Sequence, residues 1–87
     1  MNAAGVKGEL RYGYQTAALL SKWALTPAVG GGSRCDAKLK DINEYWLAMS
    51  PLTVVLSLGS RRWVWEVQDL RLHGASAVIM VKGQPTL

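Results

Sequence analysis

This sequence predicts a mainly β domain, with α+β as the alternative: a small antiparallel curved sheet or partly open barrel of about five strands with one or two short helices. Three observations lead there. Apolar and polar residues alternate through residues 7–14 and 34–39. Two strand-like runs flank Gly59-Ser60, a hairpin signal. A second pair of runs flanks His73-Gly74-Ala75-Ser76.

Each element follows from its own residues. In KGELRYGY, Leu10, Tyr12 and Tyr14 fall on one side and Glu9, Arg11 and Gly13 on the other, the period of a strand. TAALLSKWAL comes next. Leu19, Leu20, Trp23 and Ala24 fit a helical stripe, so a short helix is the expectation, with a long buried strand as its rival. Pro27 and Gly30 to Gly32 mark residues 26–33 as a flexible loop. In RCDAKL, Cys35, Ala37 and Leu39 share one face. DINEYWLAM places Ile42, Tyr45, Trp46 and Met49 at helical spacing, and Asp41 with Glu44 resembles a capping box. One to two helical turns are expected there, unless the preceding strand runs on.

The stretch LTVVLSLGSRRWVWEV is the most informative. Glycine at the first central position suits a type II′ turn, and a two-residue loop fixes the register. Leu58 then opposes Arg61, Leu56 opposes Trp63, Val54 opposes Trp65 and Leu52 opposes Val67. Trp63 and Trp65 point to one apolar face and are read as core, with a partly exposed platform as the alternative. Each indole buries roughly 150–250 Å² if enclosed. DLRL and AVIMV form the next hairpin. Ala77 to Val81 is continuously apolar, like a strand covered on both faces. Val78 and Met80 share one side. Ile79 and Val81 share the other, and they are the candidate protein interface. Gly83-Gln84-Pro85 is expected to end that strand.

With 87 residues, 49% of them apolar and 18% charged, the chain fits a single domain spanning 1–87. So small a domain is stabilised by only about 5–10 kcal/mol. It holds four Trp and no Phe. The net charge is +4 and the pI near 9.6. The excess lies in residues 1–40, where six cations face two carboxylates. One cysteine permits no internal disulfide, and MNAAGVKGEL has no basic and apolar leader pattern. No apolar run approaches a membrane span. A cytoplasmic location, or a virion if the chain is a particle component, is expected.

Few residues offer chemistry. His73 is the single histidine and sits in a predicted turn. Cys35 lies on the apolar side of a strand, where a thiol acts as a small hydrophobe. VGGGSR lacks the lysine of a phosphate-binding loop, and no GxGxxG occurs. No catalytic residue, cofactor or metal is expected, and the chain is read as a non-enzyme. The lead reading is a protein–protein interaction module, acting on a larger protein or on copies of itself. A small nucleic-acid-binding β-barrel is the alternative. Lys7, Arg11, Lys22, Lys38 and Lys40 would supply its charge, and Tyr12, Tyr14 or Trp23 its stacking. A small inhibitor of a host protein is a third reading.

LRYGYQTAALLSKW, then EYW, PLTVVLSLG and WVW, and a closing GQP, resemble small proteins of tailed phages and prophages. Most of the chain takes part in the resemblance. It implies a virion or assembly role ahead of DNA binding, and it favours a continuous strand over residues 41–49. Its shared positions are spaced aromatics and turn glycines, so it implies no site residues.

Overall fold

The computed structural model describes residues 5–86, with side chains through residue 83. In chain order it has β1 (Lys7–Tyr12), β2 (Gln15–Pro27), β3 (Ser33–Lys40), α1 (Glu44–Leu47), β4 (Thr53–Leu58), β5 (Arg61–His73) and β6 (Ser76–Thr86). The mainly β expectation holds, and the sheet goes further than expected. Six strands in the order β1-β2-β3-β6-β5-β4 close into a barrel, all pairs antiparallel, because β1 also pairs with β4.

The β4–β5 hairpin has the register read from its turn. Leu58 pairs with Arg61, Leu56 with Trp63 and Val54 with Trp65. Gly59 takes φ +60°, which a glycine adopts without a Cβ clash. The hairpin continues past its last pair, where the Val67 N–H donates to the Leu52 carbonyl at 3.0 Å. His73 and Ser76 close the β5–β6 hairpin around the turn expected there. Here β5 is one continuous strand rather than two. An extra residue, Gln68, between the Val67–Val81 and Asp69–Met80 pairs shifts its inward positions from Trp65 and Val67 to Leu70 and Leu72.

The helix expected in TAALLSKWAL is corrected to strand: residues 15–27 are all β2. The physical reason is a pair of bulges. Ala17 is extra against β1, and one residue is extra against β3 between Ser21 and Ala24. Lys22 takes φ +48° there. Each bulge shifts the side-chain phase, so inward residues fall at Ala18, Leu20 and Trp23, a spacing close to that of a helix.

The core fills the barrel. Leu10, Ala18, Leu20, Trp23, Cys35, Ala37, Leu39, Val54, Leu56, Trp65, Ala77, Ile79 and Val81 form one buried cluster. Gly8 belongs to its packing, since a Cβ there would meet Leu56 and Leu20 at 3.1–3.2 Å. The candidate interface of Ile79 and Val81 is corrected by this arrangement. Both point into the barrel, at 0% and 1% exposure, because closure turns that side of β6 inward. Val78 and Met80 face out and are half-buried. The strand also runs past Gly83 to Thr86.

Between β3 and β4 the chain makes one helical turn. Its cap is Asn43, not Asp41: the Asn43 side chain accepts from the Trp46 N–H at 3.2 Å. Asp41 instead sits at φ +51° in the bend leaving β3. The loop expected over 26–33 narrows to residues 28–32, where the Ala28 N–H donates to the Gly32 carbonyl at 3.2 Å. A Cβ on Gly32 would lie 2.5 Å from the Val81 carbonyl oxygen, so this turn packs its backbone on β6 and needs a glycine. The reading of residues 1–10 as lacking a leader falls partly outside the described residues.

Candidate interaction surfaces

Three ion pairs organise the exterior, each between residues two apart on one strand. Arg11 Nε lies 2.7 Å from Glu9 Oε1, Arg34 Nε 3.0 Å from Asp36 Oδ2, and Arg71 Nε 3.0 Å from Asp69 Oδ2. Alternation puts both members of each pair on the same outer face. Solvent and salt screen pairs this open, so they add little to stability. Their larger effect is on charge distribution. They neutralise three of the six carboxylates, and among the described residues Lys7, Lys22, Lys38, Lys40, Arg62 and Lys82 have no ion-pair partner. Arg61 lies over the Trp63 ring, 5.1 Å from its centroid.

Several of these cations share one transverse row. Arg62 pairs with Ser57, and Ser57 with Lys7. One step on from the Gly8–Leu20 pair, Lys7 stands beside Ser21, which pairs with Lys38. Lys38 pairs with Ser76, and Ser76 with the exposed His73. All seven face outward, since their chain neighbours Trp63, Leu56, Gly8, Leu20, Ala37, Ala77 and Leu72 take the inward positions. The Ser21 hydroxyl donates to the Lys38 carbonyl at 3.1 Å.

The outer face beside the Lys38–Ser76–His73 end of this row is charge-balanced. There Val78 lies between Asp36 and Arg71, and Met80 between Arg34 and Asp69. Beside them runs a free strand edge. The β4 ladder on β5 stops at Glu66, with Val67 bonded to Leu52, while β5 continues to His73. Gln68 to His73 therefore pair with β6 alone among the described residues. Every residue of that segment except Leu70 is exposed.

At the α1 end the aromatics gather. The Tyr12 and Trp46 rings stack with centroids 5.9 Å apart, and Tyr45 meets Trp46 edge-on at 4.8 Å. The Asn43 N–H donates to the Ala17 carbonyl at 2.8 Å and ties this turn to β2. Trp46 and Leu47 pack against the core, closing this part of the barrel end.

The residues named for nucleic-acid contact are thus divided. Lys7 and Lys38 share the transverse row, with Lys40 two residues beyond Lys38 and Lys22 lifted at the bulge after Ser21. Arg11 is held by Glu9. Trp23 is corrected to core, at 4% exposure, because the Lys22 bulge turns it inward. Tyr12 is taken up by Trp46, while Tyr14, at 93% exposure, sits in the β1–β2 turn. Sequence reading missed Arg62 and the serines of the row. The hairpin register already placed Ser57 opposite Arg62 on the outer face, but the pairing of β4 with β1 is not written locally. Trp65 is core, and Trp63 packs half-buried against it.

Cys35 is fully enclosed, and its thiol is pushed up to about 11, chiefly by burial and then by the charge of Asp36. It stays protonated at neutral pH, which makes it a packing group. A small cleft of about 170 Å³ lies between Gly30 to Gly32, Gln68, Lys82 and Gly83. Among the described residues, no three of His, Cys, Asp and Glu are grouped to hold a metal ion, and no helix is long and apolar enough to cross a membrane. No protein family, curated protein or solved structure matches the chain.

Proposed function

We propose that the chain is a non-enzymatic protein–protein interaction module, a structural or assembly component of a phage or other mobile element. The free edge of β5 over Gln68 to His73 carries this reading. An unpaired strand edge presents backbone donors and acceptors that a strand from another chain satisfies. The neighbouring surface suits a protein partner. Val78 and Met80 offer apolar area, and the Arg34–Asp36 and Arg71–Asp69 pairs leave that side without net charge. The phage setting rests on the resemblance of the spaced aromatics and turn glycines.

Light scattering coupled to size exclusion, followed by amide hydrogen exchange on the free and assembled chain, tests the reading. Exchange at Gln68 to His73 is expected to slow when the chain joins copies of itself or a captured virion protein. Protection confined to other segments would overturn the use of this edge. A chain that stays monomeric and captures no protein would overturn the module reading itself.

A further inference from the structure

The geometry points to a second binding face: the row Arg62, Ser57, Lys7, Ser21 and Lys38, with Lys40 beside it, grips the phosphodiester backbone of a nucleic-acid duplex. The row crosses five strands and contains no carboxylate. Neighbouring strands lie about 4.8 Å apart, so Arg62, Lys7 and Lys38 recur about every 10 Å, with a hydroxyl between each two. Such an alternation of cations and hydroxyls matches what positions proteins on phosphates. Glu9 on β1 and Asp36 on β3 each lie two residues from a lysine of the row, and Arg11 and Arg34 already hold them at 2.7 and 3.0 Å. The local field is therefore positive although Glu9 lies on the same face.

Three features choose a duplex backbone over other polyanions. No aromatic side chain stands in the row, and Tyr12 is five residues from Lys7, about 17 Å along β1, so unpaired bases find no stacking surface beside these cations. The row follows the convex outside of a closed barrel, which suits a rigid rod better than a flexible strand that must be enclosed. Its apolar neighbours Val55 and Val64 are buried or half-buried, which leaves no apolar anchor for a protein hot spot. Contact through phosphates alone carries no base readout, so binding is independent of sequence.

A fluorescence-anisotropy titration with a labelled 30-mer duplex, the matching single strand and polyglutamate tests this. Duplex binding at low ionic strength is expected, weakening with salt at a log–log slope of about −3.5 if four cations each contact a phosphate. The paired variant Lys7→Gln/Lys38→Gln should make that slope shallower by about 1.8. Tyr14→Ala should leave the titration unchanged. Both Lys positions are exposed, so an unaltered thermal melt will show that the variant folds. No duplex binding at about 0.02 M salt overturns the proposal, as does a slope unmoved by the paired variant. Equal or tighter binding to the single strand or to polyglutamate overturns the choice of a duplex.

Discussion

Cys35 shows how one buried atom couples the fold to pH. Its thiol belongs to the buried core cluster with Asp36 next in sequence, and both burial and that negative charge disfavour the thiolate. The folded pKa of about 11 stands above the ordinary value of 9.0. A raised pKa on this group means that the unfolded chain loses its proton first. Its contribution to stability is therefore whole below about pH 9 and drains away as the pH climbs toward about 11. Cys35→Ala loses some packing at every pH but cannot ionise. The gap in urea midpoint between the native chain and Cys35→Ala should therefore narrow across that window. A gap that stays constant through it would contradict the assigned environment.

Lys22 is the residue on which β2 turns. A side chain at φ +48° is uncommon and costs on the order of 1 kcal/mol or more, yet the strand tolerates it because the extra residue sends Trp23 inward. Lys22→Gly should be neutral or stabilising. Lys22→Val should cost about 1–3 kcal/mol, read from urea melts. Deletion of Lys22 should put Trp23 out of phase with the core and shift tryptophan emission to the red. An unshifted spectrum in a folded deletion variant would show that the bulge does not set the phase. The same bulge explains what was legible in the sequence. The β4–β5 hairpin was readable because Gly59-Ser60 fixes its register within sixteen residues and no bulge interrupts its alternation. The strand β2 was not, because two local insertions break a period of two into something that looks helical. The single turn of α1 was anticipated from its spacing, whereas its cap was misread by two residues, as boundaries often are.

Closure is the property of the whole molecule that no local pattern announces. The β1–β4 and β3–β6 pairings join residues 38 to 50 apart in sequence, and they decide which side of each strand becomes interior. This is why Ile79 and Val81, read as a candidate interface, are core, and why Lys7 and Arg62 come to share a row with Lys38. The two proposed surfaces follow from the same geometry. The barrel closes where β4 pairs with β1, which lines up Lys7 with Arg62 across Ser57, and β5 outruns β4, leaving an edge. Such a barrel depends on few large side chains, because 87 residues enclose a small volume. Trp65 is the sharpest case: it is 5% exposed, sits opposite Val54, and belongs to the central cluster. Trp65→Ala should cost about 3–5 kcal/mol, a large share of the total for a domain this size. Trp63, half-buried beneath Arg61, should cost distinctly less on the same substitution, since part of its ring already faces water. Thermal melts of the two variants order these effects. A Trp63→Ala variant less stable than Trp65→Ala would mean that the barrel closes around a different centre.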